Sequence, residues 1–438
     1  MSIDNEKIAV SVIMPSLNVV SYIDETIQSV RDQSIRNIEI ICIDAGSTDG
    51  TIDIIKKHAE QDNRIKYYPS EVRSYGYQLN LGLKLASGKY VGIVETDDYV
   101  DSQMYESLVA VAEKDSLDFV KADYMAFITQ DNGERFYLKR ENFDDKSIYN
   151  KVIYPKEYPE VATADWYNCQ GIYRLEYIRD NKIEFSETPG AAFQDIGFLY
   201  YAIINAKRAE YTRDLFYRYR IDRVESSSNS GRGIKYSYDE FKRLVDKTEE
   251  LNNTDKDELR ILYSRMAKSF LSSYAGASRE YLLSDDSERK EIYIWFKEKM
   301  SQAIKDGLVC EKDMNPSIWN GLMLLLESEE KYSNGQIELV EEVQRTRAKH
   351  ICIFGSGNHG YRAHCVLRKN GLNNDMFCDN TRDLWGKELD GVPVKSPEEL
   401  LPIMNDVVVV VANVLYSREI ADQVLSIGVP SERVIVFL

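Results

Sequence analysis

The sequence predicts an α/β protein of three parts, and three observations support this class. Residues 1–230 open with short β-rich runs that alternate with helical periodicity, a pattern typical of a parallel sheet covered by helices on both faces. Residues 231–345 show helical periodicity almost throughout. Residues 346–438 return to strand, turn and helix. We therefore expect an N-terminal α/β domain, a helical middle region and a smaller C-terminal α/β domain.

Four strands are predicted in the first part from short apolar runs, at 8–14, 38–43, 65–68 and 90–94. Ser21, followed three residues later by Asp24, resembles a capping box and predicts the start of the first helix. The fourth strand leads directly into Glu95, Asp97 and Asp98. Because open α/β sheets bind ligands beyond the carboxyl ends of their strands, this acidic group is a candidate site.

The rest of the chain is assigned more coarsely. The polar stretch 129–156 predicts an excursion or a small hairpin, and the turn-like residues 226–233 predict a flexible loop or a boundary. Apolar residues then recur at helical spacing from 236 to about 344. The C-terminal strands are predicted at 350–354, 376–378 and 407–411.

Composition limits the function classes. Of 438 residues, 55 are Lys or Arg and 72 are Asp or Glu, and the net charge of −17 argues against non-specific attraction to nucleic acid or anionic lipid. Six scattered cysteines argue against a disulfide framework and a zinc ribbon. The sequence shows no secretory signal and no apolar run of about 20 residues. We expect a cytoplasmic protein, with peripheral association at the inner face of the cell membrane left open.

The segment 10–51 contains VSVIMPSLNVV and IEIICIDAGSTDGT. It closely resembles the opening of glycosyltransferase family 2, inverting enzymes of the GT-A fold that use nucleotide sugars. The resemblance implies that Pro15, Leu17 and Asn18 hold the nucleobase and ribose, and that Asp44 faces the base. A strand-end turn also suits this task physically, because it offers backbone donors and short polar side chains to a planar base. Without the resemblance, the same turn would simply cap a helix.

One position departs from the family. Where members usually carry a polar residue that contacts uracil, this chain has Ala45. Asp44, backbone groups or Asn80 then take over recognition, or the base differs. A UDP-sugar is the favoured donor.

The run IVETDDYVDSQMY resembles the D-x-D motif of the same family, with Glu95 in place of the first Asp. Two carboxylates at spacing two on an extended backbone point the same way, so they can address ribose hydroxyls and a cation together. The resemblance implies that Glu95 contacts the ribose, that Thr96 belongs to the donor site, and that Asp97 binds Mg²⁺ or Mn²⁺. Taken alone, the ETDD string would be a solvated acidic turn.

A candidate catalytic base lies 98 residues beyond Asp97, where family members carry the Asp that deprotonates the acceptor hydroxyl. Asp195 matches that place, and the alternative is that Asp195 caps the helix at 196–205. Gln194 and Trp166 are candidates for acceptor contacts, or else core and scaffold residues.

Many members also carry a His near the diphosphate, downstream of this base. This chain has no His between His58 and His350, which leaves Arg218, Arg220 or Arg223 to supply positive charge.

The C-terminal GSGNHG places Gly355, Gly357 and Gly360 after a predicted strand, with Asp379 at the end of the next one. This is the context of the dinucleotide fingerprint. The segment resembles the small Rossmann-like domains appended to bacterial sugar-modifying and polysaccharide biosynthesis proteins, which do not always bind a cofactor. A bound nucleotide and a structural or partner-docking role both stay open.

Together these features predict an inverting, metal-dependent glycosyltransferase of hexosyltransferase type. It would move a sugar from a nucleotide-sugar donor to a hydroxyl of a glycan or lipid-linked saccharide acceptor. The resemblance implies a role in bacterial capsule, O-antigen or lipo-oligosaccharide synthesis. Two alternatives remain: an NAD(P)-dependent oxidoreductase acting through the C-terminal G-x-G-x-x-G, and a non-catalytic scaffold of glycan assembly.

Overall fold

The computed structural model describes residues 7–129, 133–143, 145–164, 166–223, 232–277, 281–282, 284, 286–413 and 416–437. The predicted α/β class is confirmed, because two separate sheets are joined through a helical region. Most of the predicted loop at 226–233 lies outside the described residues.

The N-terminal domain is built on a large mixed sheet. Its strands are β1 (Val10–Ser16), β2 (Ile38–Asp44), β3 (Ile65–Pro69), β4 (Tyr90–Ile93), β5 (Tyr99–Val100), β6 (Phe119–Thr129), β7 (Arg135–Arg140), β8 (Gly171–Arg174) and β9 (Ala209–Arg220). The order across the sheet is β3-β2-β1-β4-β8-β6-β9-β5, and β7 pairs with β6. Because β1 pairs in parallel with both β2 and β4, the carboxyl ends of these three strands meet at one edge.

Helices cover this sheet: α1 (Ile23–Arg31), α2 (Thr51–Gln61), α3 (Tyr75–Leu85), α4 (Met104–Asp115), α5 (Pro159–Thr163), α6 (Leu175–Asp180) and α7 (Asp195–Asn205). The four predicted strands form within two residues of their expected ends. The predicted capping box is wrong, since Tyr22 occupies the N-cap of α1 and its side chain makes no capping hydrogen bond. The expected hairpin is confirmed as β6 and β7, although it starts earlier than predicted.

The middle region contains α8 (Gly233–Glu250), α9 (Lys256–Gly276), α10 (Ser287–Lys305), α11 (Pro316–Glu327) and α12 (Glu329–Thr346). Asp255 caps α9 by accepting hydrogen bonds from two backbone N–H groups. Phe270 stacks on Phe296 with ring centroids 4.3 Å apart, which joins α9 to α10. Among the described residues, we find no helix whose length and apolar character suffice to span a membrane.

The C-terminal sheet contains β10 (His350–Phe354), β11 (Met376–Cys378), β12 (Glu388–Leu389), β13 (Val392–Lys395), β14 (Val407–Val411) and β15 (Val434–Val436), with helices α13 (Asn358–Lys369) and α14 (Ser417–Ile427). The three predicted strands occur at the expected residues. The order is β12-β13-β11-β10-β14-β15, and every pairing except β12 with β13 is parallel. The parallel strands therefore follow the order of doubly wound sheets.

The N-terminal and C-terminal sheets share a hydrophobic core. Phe136 and Leu138 of β7 belong to the same buried cluster as Val340 of α12 and Val408 and Phe437 of the C-terminal domain. The β6–β7 hairpin is therefore an N-terminal element whose apolar side chains are covered by C-terminal residues.

Candidate active site

An acidic loop, residues 95–98, follows β4 and carries Glu95, Asp97 and Asp98. Carboxylate oxygens of these three side chains lie within 4.8 Å of one another. The hydroxyl of Thr96, which is buried, donates to the carbonyl oxygen of Pro15 at 2.8 Å. The structure thus brings the predicted acidic motif against the end of β1, as the parallel pairing of β1 and β4 requires.

Asp98 is the buried member of this group, and three donors occupy its oxygens. The hydroxyls of Tyr217 and Tyr167 donate to Oδ2 at 2.8 and 2.9 Å, and the backbone N–H of Arg220 donates to Oδ1 at 2.7 Å. Burial and the neighbouring charge of Asp97 raise the pKa of Asp98 well above its usual value, although these donors oppose the shift. Asp98 therefore fixes the acidic loop to β9.

Glu95 is held by tyrosines that the sequence did not single out. The Tyr75 hydroxyl donates to Oε1 at 2.9 Å, and Asn168 donates to that hydroxyl at 3.0 Å. The backbone N–H of Glu95 donates to the Tyr217 hydroxyl at 3.1 Å. Burial raises the pKa of Glu95 to about 7, and the charge of Asp97 adds to this shift.

Asp97 is partly exposed, with 17% of its side chain accessible, and it accepts a hydrogen bond from Arg223 at 2.9 Å. The residues present fit a divalent cation, because Glu95 and Asp97 offer hard carboxylate oxygens within 4.8 Å of each other. Of the predicted arginines, Arg223 contacts the carboxylate, while Arg220 donates to the carbonyl oxygen of Asp97. Arg218 instead donates to the carbonyl oxygen of Leu215.

Asp195 lies in the first turn of α7, beside the acidic loop. Its neighbour Gln194 accepts a hydrogen bond from the backbone N–H of Gly76 at 2.7 Å, and Gly76 follows Tyr75, the residue that binds Glu95. The charge of Asp195 accordingly contributes to the raised pKa of Glu95. This chain of contacts connects two motifs that are far apart in sequence.

The environment of Asp195 favours the protonated form of its carboxyl group. Burial raises the pKa of Asp195 to about 6, although the charges of Arg265 and Lys121 lower it. The interpretation of Asp195 as the N-cap is wrong by one residue, since Gln194 takes that position and Asp195 begins α7. A carboxylate with a pKa of about 6 can accept a proton during a reaction, and Asp195 carries such a group in the first turn of α7.

The two predicted acceptor residues both lie in the scaffold around Asp195. Gln194 is buried, and its amide nitrogen donates to the Thr188 hydroxyl at 2.9 Å. Trp166 is buried, donates from its indole nitrogen to the carbonyl oxygen of Val161 at 2.9 Å, and carries Arg265 over its ring at 4.8 Å. Their described contacts are therefore with the protein itself.

At the other end of the site, Asp44 is buried at the end of β2. It accepts hydrogen bonds from the hydroxyls of Ser16 and Ser47 at 2.9 and 2.6 Å, and from the backbone N–H groups of Gly46 and Ser47 at 2.9 and 2.7 Å. The carboxylate of Asp44 thus shapes the turn after β2 from the inside.

Asn18 is exposed beside this turn, and Leu17 next to it is half-buried. Asn18 has a φ of 52° and accepts a hydrogen bond from the backbone N–H of Thr48 at 3.0 Å. Its own N–H donates to the Ser47 hydroxyl at 2.8 Å. The predicted nucleobase loop therefore presents Asn18 and Leu17, held in place by the turn that Asp44 supports.

Asn80, an alternative contact for the nucleobase, bonds to the segment before α7. Its side chain is buried, donates to the carbonyl oxygen of Phe185 at 3.0 Å and to Glu187 at 2.8 Å, and accepts from the Phe185 N–H at 2.9 Å. These bonds fix α3 to the segment before α7.

The C-terminal loop after β10 is held in place by Asp379, which follows β11. Asp379 accepts hydrogen bonds from the Ser356 N–H and hydroxyl at 2.9 and 2.8 Å, and from the Thr381 N–H at 2.9 Å. Burial opposes ionisation, but these bonds lower the pKa of Asp379.

The three glycines of this loop are under different steric constraints. Gly355 has a φ of +109°, and a Cβ on Gly360 would lie 1.8 Å from the Gly355 carbonyl oxygen. A Cβ on Gly357 would meet nothing within 4 Å. Gly355 and Gly360 thus meet backbone and packing requirements of the strand–turn–helix unit.

Comparisons with known proteins agree with this arrangement. Residues 11–175 match the family model described as glycosyl transferase family 2, and residues 347–435 match a model described as C2185-like, N-terminal. A glycosyltransferase, GlyG, from Streptococcus pneumoniae is 26% identical over 295 residues, covering 65% of this chain and 93% of that protein.

A second relative is the poly(ribitol-phosphate) beta-N-acetylglucosaminyltransferase TarS of Staphylococcus aureus. It is 25% identical over 256 residues, covering 57% of this chain and 41% of that protein. The crystal structure of S. aureus TarS 1-349 in complex with UDP-GlcNAc has a TM-score of 0.55 at 21% identity, covering 77% of this chain and 92% of that one. This likeness shows a shared fold.

The N-terminal sheet, with its acidic loop at the carboxyl end of β4, thus defines the GT-A class of transferase folds. The chain is a glycosyltransferase, and residues 11–175 form a glycosyltransferase family 2 domain.

Proposed function

We propose that this glycosyltransferase is an inverting, metal-dependent enzyme that moves a sugar from a nucleotide-sugar donor to a hydroxyl of a saccharide acceptor. The observation that carries the proposal is the group formed by Glu95, Asp97 and Asp195. These carboxylates come from two distant motifs that the contacts of Tyr75 with Glu95 and of Gly76 with Gln194 bring together, and the charges of Asp97 and Asp195 both add to the raised pKa of Glu95.

The donor would lie across the edge where β1, β2 and β4 end. Pro15, Leu17 and Asn18 would contact the nucleobase and ribose, and Glu95 would receive the ribose hydroxyls. Glu95 and Asp97 would hold Mg²⁺ or Mn²⁺. A divalent cation bound there neutralises negative charge on the diphosphate leaving group.

Asp195 would act as the general base. Its carboxylate accepts the proton of the acceptor hydroxyl while that oxygen attacks the anomeric carbon, and the nucleoside diphosphate leaves from the opposite side. One displacement of this kind inverts the anomeric configuration. The pKa of about 6 leaves Asp195 ionised at neutral pH and still basic enough for the task.

Replacing Asp195 with Asn tests this role directly. We expect Asp195→Asn to lower the transfer rate by about 10²- to 10⁴-fold, because the amide cannot take the proton. Binding of UDP, followed by calorimetry, should stay at the wild-type level. Asp214→Asn is a matched control, since Asp214 is an exposed residue of β9. Full transfer activity in Asp195→Asn would refute the assignment.

The donor class is proposed from two observations. TarS, which shares the fold, was crystallised with UDP-GlcNAc, and this supports a UDP-sugar. The carboxylate of Asp44 is bonded within its own turn and Ala45 lacks a polar side chain, so base recognition would rely on Asn18 and backbone groups. Asp44, Asn80 and Thr96 would then support the donor site through the contacts described above.

A panel of nucleotide sugars tests the donor class. Each sugar is added with Mn²⁺, and the thermal midpoint is measured with and without the metal. The true donor should raise the midpoint in a concentration-dependent way, because a ligand that binds only the folded state stabilises it. UDP-sugars without effect, beside a clear shift from another nucleotide sugar, would reassign the base.

The acceptor and cellular role are also proposals. The S. aureus relative is named for transfer to poly(ribitol-phosphate), which supports a cell-surface polymer as acceptor class. We place the reaction in bacterial capsule, O-antigen or lipo-oligosaccharide synthesis, in the cytoplasm or at the inner face of the membrane. The domain boundaries that fit this function are 1–230 for transfer, 231–345 for the helical region and 346–438 for the Rossmann-like domain.

A further inference from the structure

Arg220, the last residue of β9, contacts both aspartates of the acidic loop. Its backbone N–H donates to Oδ1 of Asp98 at 2.7 Å, and its Nε–H donates to the carbonyl oxygen of Asp97 at 2.9 Å. Only 7% of the Arg220 side chain is exposed. One buried residue therefore fixes the main chain of Asp97 and the carboxylate of Asp98 at the same time.

Arg220 is itself held from several sides. The carbon of its guanidinium group lies over the rings of Tyr22 and Phe127, at 4.7 and 4.6 Å from their centroids. Nη1 donates to the Thr129 hydroxyl at 2.9 Å, and Nη2 lies 3.7 Å from a carboxylate oxygen of Glu25. The planar group is thus locked in one orientation by stacking, hydrogen bonding and charge.

These contacts argue against Arg220 as a phosphate ligand. Its Nε and Nη1 atoms donate to protein oxygens, and its guanidinium group packs on two aromatic rings. What it does determine is the position of the backbone from which the Asp97 side chain projects. A shift of that backbone would move the carboxylate away from Glu95.

We propose that Arg220 is a positioning residue for the cation-binding carboxylate of Asp97, an inference that rests on the proposed metal-dependent function. Lysine could replace the charge of Arg220 but not its planar stacking or its Nε–H donor. Positioning and simple charge compensation therefore make different predictions for Arg220→Lys.

The test measures Mn²⁺ binding, without substrate, to Arg220→Lys and Arg220→Gln by calorimetry, together with the thermal midpoint of each variant. We expect both variants to fold and to bind Mn²⁺ about 10- to 100-fold more weakly than the wild-type protein, with no rescue by Lys. Arg213→Lys is the matched control, because Arg213 lies on the same strand with 49% of its side chain exposed. It should bind Mn²⁺ like the wild-type protein.

The outcomes separate this inference from the function on which it rests. A wild-type protein that fails to bind Mn²⁺ overturns the proposed metal dependence and the inference together. Wild-type binding that is unchanged in Arg220→Lys, or restored by Lys after loss in Gln, overturns the positioning role alone.

If the Arg220 variants do not fold, Thr129→Val decides. The Thr129 hydroxyl accepts a hydrogen bond from Nη1 of Arg220 at 2.9 Å, and valine keeps the shape of the side chain without this acceptor, so Mn²⁺ binding should weaken by about two- to threefold. Unchanged Mn²⁺ affinity in Thr129→Val would then overturn the inference.

Discussion

The acidic loop after β4 and the glycine loop after β10 both involve a carboxylate that follows a buried strand. Glu95 follows β4 and Asp379 follows β11, and the two carboxylates are in opposite electrostatic situations. In the acidic loop, burial and neighbouring charges raise the pKa of Glu95 to about 7. In the C-terminal domain, hydrogen bonds from Ser356 and Thr381 outweigh burial and lower the pKa of Asp379. A carboxylate that lies close to other carboxylates is suited to a cation, whereas one that accepts several hydrogen bonds from neighbouring loops stabilises the fold.

Of the two loops, the acidic loop is expected to show the larger effect. Asp97→Asn keeps the shape of the side chain and removes its charge, so the rate of nucleoside diphosphate release should fall by about a hundred- to a thousandfold. Asp101→Asn is the control, because Asp101 lies beyond the loop and accepts from the N–H of Gln103 at 3.0 Å. If the two variants lose activity equally, the special status of the acidic loop is refuted.

The pH dependence of transfer comes next in size. Asp195 must be ionised to accept a proton, and its pKa is raised to about 6. Transfer measured at saturating donor and Mn²⁺ should therefore fall about tenfold for each pH unit below 6. A rate that stays level down to pH 5 would argue against Asp195 as the base.

At the glycine loop, substitutions should change stability rather than transfer. In Gly360→Ala the new Cβ would lie 1.8 Å from the carbonyl oxygen of Gly355, so the free energy of unfolding should fall by about 1 to 3 kcal/mol or more. Gly357→Ala is the matched control, since its Cβ would meet nothing within 4 Å, and it should cost under about 1 kcal/mol. Urea unfolding of both variants provides the measurement.

The smallest effect is expected from Asp379→Asn, which should lower the free energy of unfolding by about 1 to 2 kcal/mol through weaker hydrogen bonds to the loop. Because the folded-state pKa of Asp379 is lowered, its contribution is present above the unfolded-state value near 3.9 and is lost as the pH falls through the folded value. The difference between wild type and variant should therefore shrink in acid unfolding.

The same variant addresses the oxidoreductase alternative. If calorimetry shows that NAD⁺ binds the wild-type protein and not Asp379→Asn, the glycine loop is a cofactor site. Asp379 would then serve more than the stability of the fold. Transfer or hydrolysis of a nucleotide sugar by the wild-type protein excludes the scaffold alternative.

Local sequence patterns predicted the strands, the helical region and the acidic motif, because each depends on residues that are near one another in the chain. The apolar runs of β10 and β14 predicted both strands with their observed ends. The capping box predicted at Ser21 is wrong because α1 begins one residue later than the box requires, with Tyr22 at the N-cap.

The partners of the polar residues could not be predicted in the same way. Gln194 bonds to Gly76, 118 positions away, and Tyr217 bonds to Asp98, 119 positions away. No spacing rule connects residues at such distances, so the sequence predicts an acceptor contact for Gln194 and does not single out the tyrosines around the acidic loop. These tyrosines come from separate segments of the chain, and the order of the strands in the sheet is needed to see that they lie around one loop.

The hydrophobic cluster that Phe136 and Leu138 share with Val408 and Phe437 has a consequence for how the chain can be divided. The boundary near residue 346 marks a change of pattern in the sequence, yet among the described residues this cluster packs across it. A chain shortened there would present the apolar side of its hairpin to water and invite aggregation. We therefore expect the hairpin and the last 90 or so residues to lose their packing together when the protein unfolds.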